Sequence, residues 1–434
     1  MTLSRRRFLG LTGATTLIAA CSPNALSNQS PWHALAGQAT SGLKDLSALA
    51  GQRPAMLGYP INMNFPPVAF FKWREKLSAT GLNRFGFNNV GDPFKHSHFA
   101  FNTHDLEKEL IERFGVVYGF ARKKTWGFLS NSGTDSNMHG IYIGRTLLQS
   151  RTGIAPKIYF TREAHYSIQI LSNLMHLDQV IVDTKADGSL DTNDLEQKLS
   201  AYSNHPALIV ATVGTTFKGA IDSIDGIQSK LKGREFYLHL DAALFGGYLP
   251  HTPFADELLH IRPSDQSARY HSIAVSCHKF FGFPSPAGLF MTTQSIFEEF
   301  ETQFAKIHDP QYILQVPGTI TCSRDSVKPA EFHFFSSDTD FSRQAADAQS
   351  MLDNAAYLFK EMQTHFNHLE PARTDQRSPI VYFRKPPDAI VDRYTLAVMQ
   401  SGHHNGTAAH AHVVIMPHVS KKILDRFLED LASI

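Results

Sequence analysis

Ala207-Leu208-Ile209-Val210-Ala211-Thr212-Val213, a helical pattern over Ile224–Leu231, then Tyr237-Leu238-His239-Leu240-Asp241: this succession decides the architecture. Unbroken apolar runs suit strands buried on both faces, and a helix between two such strands makes them parallel neighbours. The alternation extends in both directions. Apolar runs recur at Trp126–Leu129, Lys157–Phe160, Gln179–Asp183, Ser272–Val275 and Gly288–Thr292, with helical patterns at Asn137–Leu148 and Asp191–Leu199. Upstream, Leu106, Leu110, Ile111 and Phe114 share one helical face, with Thr103 or Asp105 as caps. The pattern predicts an α/β fold with a mainly parallel seven-stranded sheet between helices. Ligands of such sheets gather outside the carboxyl ends of the strands. From Ser326 onward a smaller C-terminal α/β unit is expected, with a helix at Ala345–Phe366, strands at Pro379–Phe383 and His412–Met416, and a closing helix at Lys421–Leu431.

Composition agrees. The chain has 434 residues, 42% hydrophobic and 19% charged, with 32 Phe to fill a sizeable core. Its 41 Lys+Arg nearly balance its 40 Asp+Glu, which argues against a nucleic-acid-binding surface as its main business. Three cysteines (Cys21, Cys277, Cys322) make neither a disulfide framework nor a zinc pattern. His403, His404, His410 and His412 form a histidine-rich stretch; His412 falls on a strand pattern and the stretch otherwise reads as a small-domain loop rather than a metal site.

The N-terminus reads as an export signal. Ser4-Arg5-Arg6-Arg7-Phe8-Leu9 resembles a twin-arginine motif, and the apolar stretch after it is too short to span a bilayer. Ile18-Ala19-Ala20-Cys21 resembles a lipobox, in which the cysteine is lipidated and becomes the new N-terminus. The expected organisation is a signal over 1–21, a tether and N-terminal segment over 22–57, an N-terminal arm and large domain over 58–325, and the small domain over 326–434. The expected location is periplasmic or membrane-anchored, with Cys21 as a possible lipid anchor.

Several short motifs fall at predicted strand ends. Ser276-Cys277-His278-Lys279 follows one strand and precedes the apolar Phe280-Phe281-Gly282-Phe283-Pro284, which would bury a lysine stem and lower its pKa. His239-Leu240-Asp241-Ala242-Ala243 ends another with a carboxylate and small residues. Ser130-Asn131-Ser132-Gly133-Thr134-Asp135-Ser136-Asn137 joins a strand to a helix and offers backbone N–H groups to an anion. Ala164-His165-Tyr166-Ser167 places an imidazole, and Ala211-Thr212-Val213-Gly214-Thr215-Thr216 a hydroxyl, at two more ends. Taken singly, each has an ordinary explanation as a cap, a turn or a surface loop.

Together and in this order they resemble the pyridoxal-phosphate (PLP)-dependent group II amino-acid decarboxylases, nearest to bacterial histidine decarboxylase and plant serine decarboxylases. The likeness runs from about Gly58 to Leu428. It includes Gly58-Tyr59-Pro60, His104-Asp105-Leu106-Glu107-Lys108-Glu109, Thr319-Ile320-Thr321-Cys322-Ser323-Arg324 and Ala411-His412-Val413-Val414-Ile415-Met416-Pro417. The resemblance implies fold type I of the PLP-dependent transferases and a homodimer with a shared active site. It makes Lys279 the Schiff-base lysine and pairs Asp241 with the pyridinium nitrogen. It stacks His165 on the ring near the substrate carboxylate and puts Ser132, Gly133, Thr134, Ser276 and His278 around the phosphate. It brings Thr212 to the phenolic oxygen and Ala243 under the ring. Tyr312 would be a proton donor, and Tyr59 would line the substrate pocket, in the same subunit or across a dimer interface. The implied reaction is decarboxylation of an L-amino acid, histidine first, with serine or an aromatic amino acid behind it. Another PLP-dependent lyase or transaminase, or an exported protein that keeps the fold without catalysis, are the competing readings. The chain departs from the family where its phosphate loop carries Ser132 and Ser136 in place of glycines, and where Cys322-Ser323-Arg324-Asp325-Ser326 replaces a Gly-Ser-Arg-Asn-Gly segment.

Overall fold

The computed structural model describes residues 46–433 except 122, 256–268, 309–310 and 401–407. The export signal, Cys21, His403 and His404 lie outside the described residues. No helix among those described is long and apolar enough to cross a membrane.

In chain order from residue 54 the described α-helices of six or more residues are α1 Val68–Ala79, α2 His104–Val117, α3 Gly133–Thr152, α4 Tyr166–Leu174, α5 Thr192–Ala201, α6 Ile224–Lys230, α7 Gln294–Phe304, α8 Val327–Phe332, α9 Asp338–His365, α10 Asp388–Arg393 and α11 Lys421–Ala432. The strands of the large sheet are β1 Thr125–Ser130, β2 Lys157–Thr161, β3 Gln179–Val182, β4 Ala207–Thr212, β5 Phe236–Asp241, β6 Ser272–Ser276 and β7 Gly288–Thr293. Their order is β1-β7-β6-β5-β4-β2-β3, with β7 alone reversed. Side chains along the strands alternate between two cores. On β4, Leu208 and Val210 join Trp126, Phe128 and Phe290 on one face, while Ile209 and Ala211 join Leu238, Leu240 and Val275 on the other. A smaller antiparallel sheet, β8 Ile380–Arg384, β10 His410–Val414 and β9 Ala397–Met399, packs with α9 and α11 as the C-terminal unit.

The segment from Leu57 to Asn62 crosses between these two parts. Leu57 N–H donates to Tyr394 (3.0 Å) and its carbonyl accepts from Val414 (2.7 Å). His412 bonds the Gly58 carbonyl at 3.0 Å. Gly58 lies flat on the Thr395–Ala397 backbone, where any Cβ would collide. Asn62 then holds the loop after β6 twice: its backbone N–H donates to the Lys279 carbonyl (3.2 Å), and its side-chain amide to that of Phe280 (3.0 Å).

A buried ion pair ties α2 to the loop before α8. Glu107 and Arg324 meet with both side chains almost wholly buried. Glu107 also accepts from Asn89 Nδ2 (2.9 Å) and Leu129 N (2.9 Å), so both of its oxygens are engaged. Arg324 lies over the Phe128 ring, 5.2 Å from its centroid. Two segments of the family likeness thereby turn out to be the halves of one clamp. Arg324→Ala would strand Glu107 without a counter-charge and should cost about 3–5 kcal/mol in urea denaturation; a loss under about 1 kcal/mol would show the pair to be dispensable.

Burial also sets an acid limit on the fold. Seven imidazoles, of His104, His165, His239, His251, His271, His278 and His412, are held below their ordinary value by loss of water; His239 lies at about 3, His251 and His271 at about 4. An unfolded chain protonates them near 6.5, so from there down to about 4 the unfolded state binds more protons and stability falls with pH. Burial raises the carboxyls of Asp92, Asp347 and Asp222 (the last to about 6), and these act the other way. The imidazoles outnumber them. The urea midpoint should therefore drop as pH is lowered from 6.5 to 4, and a flat or rising midpoint would refute this balance.

Candidate active site

The carboxyl ends of the parallel strands converge on one cavity of about 170 Å³. Register explains the convergence: Thr212 at the end of β4 pairs with Asp241 at the end of β5, and Ser276 ends β6 beside them. Lining the cavity are Ser132, Gly133, Thr134, Asn137, His165, Thr212, Asp241, Ala243, Ser276, His278 and Lys279, together with Pro60, Ser167, Gly214–Thr216, Leu244, Phe245 and Ile380. Ten of the residues expected around the cofactor from sequence thus share a single wall. Tyr59 and Tyr312 do not. Tyr59 is 46% exposed, and it is the next residue, Pro60, that reaches the lining. Tyr312 is 82% exposed and borders outer grooves with Val90, Ile313 and Cys322.

Helix α3 starts at the cavity. Ser132 is its N-cap, its side chain accepting from Asp135 N (3.3 Å), and Gly133 and Thr134 form its first turn. This end of a 20-residue helix offers unpaired N–H groups and the positive pole of the helix dipole. The two serines that replace family glycines fit without strain. Ser132 is extended (φ −171°, ψ 172°), Ser136 is helical, and neither needs the left-handed region. The Ser136 hydroxyl also meets that of Ser130 at 2.7 Å. Gly133 is a true close approach, since a Cβ there would lie 2.5 Å from the Ser276 hydroxyl.

Lys279 is partly buried, and loss of water lowers its pKa while Asp241 opposes the shift. Asp241 accepts from Asn137 Nδ2 (3.1 Å) and Ala243 N (3.3 Å). Asn137 in turn meets His239 Nε2 at 2.9 Å, and His239 Nδ1 lies 2.8 Å from the Ser272 hydroxyl. His165 caps α4, its Nδ1 accepting from Ser167 N (3.3 Å), so a neutral ring carries its hydrogen on Nε2. Burial holds this ring below its ordinary pKa, with Asp241 pulling up and Lys279 down. The Thr212 hydroxyl is buried with no hydrogen-bond partner among the described residues.

These features fit PLP. The helix N-terminus and the hydroxyls of Ser132, Thr134 and Ser276 suit its phosphate, Asp241 its ring nitrogen, the orphaned Thr212 hydroxyl a ring oxygen, and Lys279 its aldehyde. Sequence reasoning gave no role to Asn137, His239, Pro60, Thr215 or Asn62. His239 and Asn137 stood inside quoted motifs, but nothing in their spacing tells that strand and helix bring them together. Among the described residues no group of three or more His, Cys, Asp or Glu side chains is placed to hold a metal ion.

Comparison with known proteins agrees. Residues 143–369 match the pyridoxal-dependent decarboxylase conserved domain. Histidine decarboxylase of Solanum lycopersicum is 29% identical over 395 residues, covering 89% of this chain and 86% of the relative. Serine decarboxylase 2 of Oryza sativa subsp. japonica is 32% identical over 386 residues, covering 87% and 74%. In fold, the crystal structure of L-methionine decarboxylase from Streptomyces sp. 590 superposes with a TM-score of 0.74 at 22% identity, covering 90% of this chain and 94% of that one. A helix end open to an anion, a lysine and a carboxylate meeting at the strand ends, and similarity over most of the chain lead to one conclusion: the chain belongs to the pyridoxal-dependent decarboxylase family.

Proposed function

We propose that this cavity holds PLP through the residues named above, and that the chain removes the carboxyl group of an L-amino acid with a neutral side chain, histidine first and serine as the alternative. The observation that carries this reading is the meeting of Lys279, Asp241 and His165 in one cavity at the mouth of α3. PLP, when bound, supplies an electron sink for the pair left at the α-carbon. The chain's own groups do the rest. Burial favours the free amine of Lys279, which must be unprotonated to act as a nucleophile. Asp241, kept by two N–H donors, offers a carboxylate to the ring nitrogen. His165 has Nε2–H to give to a substrate carboxylate. Near them, Thr215, Thr216 and Ser167 bring hydroxyls and Pro60, Phe245 and Ile380 apolar surface. No arginine lines the cavity among the described residues, so an acidic side chain would find no second cation there.

Tyr312 supports a shared site. It is the expected acid for the α-carbon, yet it stands outside the cavity of its own chain. It borders a groove with Leu174 and Ile307, and along α4 the exposed Tyr166, Ile170 and Leu174 continue this apolar face from beside His165. A homodimer in which Tyr312 serves the second subunit's cavity would cover that face and bring the missing acid.

Incubation of the purified protein with PLP and a panel of L-amino acids, with CO₂ and amine analysis, should give histamine, and Lys279→Ala should abolish it. Amine from serine alone would shift the substrate to the alternative; a keto acid or no CO₂ from any amino acid would sink decarboxylation. Mixing Lys279→Ala with Tyr312→Phe protein, each inactive alone, should restore up to about one quarter of wild-type activity in a randomly exchanging dimer with shared sites. No recovery after verified subunit exchange would place Tyr312 outside the partner's site.

A further inference from the structure

Asp241 is the end of a hydrogen-bonded chain that begins in a neighbouring strand and passes through a helix. An ionised carboxylate only accepts, so Asn137 must turn its amide nitrogen toward Asp241 Oδ2 (3.1 Å). The amide oxygen then faces His239 Nε2 (2.9 Å), which must carry the hydrogen. Burial disfavours a second proton on this imidazole, and with the hydrogen on Nε2 the Nδ1 atom accepts from the Ser272 hydroxyl 2.8 Å away. Hydrogens therefore point one way along Ser272, His239, Asn137 and Asp241. The Ala243 N–H engages the other carboxylate oxygen at 3.3 Å.

We propose that His239 is a positioning residue which, acting through Asn137, holds Asp241 ionised and oriented toward the cofactor's ring nitrogen. Hydrogen bonds donated to a carboxylate favour its charged form, and a donor with no freedom to rotate also fixes where the charge points. Asn137 alone has that freedom, because an amide can turn and offer its oxygen. A neutral His239 donating to the oxygen removes it. Helix α3 is built around this contact: Gly140, one turn beyond Asn137, lies where any Cβ would fall inside the imidazole of His239. The inference rests on the cofactor site proposed above.

The test is a titration of folded apoprotein with PLP, followed by absorbance, in paired variants. His239→Gln places an amide nitrogen near the position of Nε2 and should bind within about threefold of wild type, because a donor to Asn137 remains. His239→Asn reaches only the position of Nδ1 and should bind on the order of tenfold or more weaker, with the pH dependence of the bound cofactor's absorbance displaced. Asn137→Leu should match it, and combining the two should add little beyond either. Equal binding by the Gln and Asn variants, or additive losses at 137 and 239, overturns the proposal. If His239→Asn does not fold, Gly140→Ala decides: it keeps every member of the chain, must also weaken binding, and refutes the proposal if binding is unchanged. Failure of the wild type to bind PLP would instead refute the cofactor site.

Discussion

An amine and a carboxylate share one cavity of about 170 Å³ at the strand ends, and the surrounding contacts make that tolerable. Burying either charge alone is expensive. Asp241 is supported by the donors of Asn137 and Ala243, while Lys279 loses water and gains only the attraction of Asp241. The outcome is asymmetric, a carboxylate held by two N–H donors beside an amine that burial moves toward neutrality. That asymmetry is what a carbonyl cofactor with a protonated ring nitrogen needs.

Keeping these groups in register takes contacts far apart in sequence. Parallel pairing sets Thr212 beside Asp241, and Asn62 holds the carbonyls of Lys279 and Phe280 from a segment more than 200 residues upstream. The same segment is zipped onto β10 and the turn before β9, so the loop bearing Lys279 and the C-terminal sheet are joined through it. On the other side, the Glu107–Arg324 clamp anchors the loop that follows Tyr312. That loop is also bound to α3 where Ile320 N donates to His139 Nε2 (2.8 Å).

Apolar runs foretold each strand of the large sheet to within two residues, because a strand buried on both faces has no other way to be written. Five helices, α1, α4, α7, α8 and α10, escaped notice, α1 and α4 for an equally physical reason. Along α4, Ile168 and Leu171 are buried while Tyr166, Ile170 and Leu174 are exposed beside Gln169 and Asn173, so apolar residues stand on both sides of the helix. Helix α1 buries Phe70 and Leu77 but exposes Val68 and Phe71. Helix α7, with Phe297, Phe300 and Phe304 inside, is amphipathic and was open to detection. In sequence the phosphate loop departs from the family at two glycine positions. Its backbone is not left-handed at 132 or 136, so serine fits there without strain.

Residue identity and order by themselves determined the sheet, the anion-ready start of α3 and the candidacy of Lys279, Asp241 and His165, since each depends on local pattern and on chemistry carried by the side chain itself. Tertiary structure alone decided which of these groups meet. It put Pro60 rather than Tyr59 on the cavity wall, left Tyr312 outside it, made Glu107 the partner of Arg324 and linked His239 to Asp241 through Asn137. Those outcomes depend on strand register, helix placement and burial, which are properties of distances between segments and leave no periodic trace in the chain.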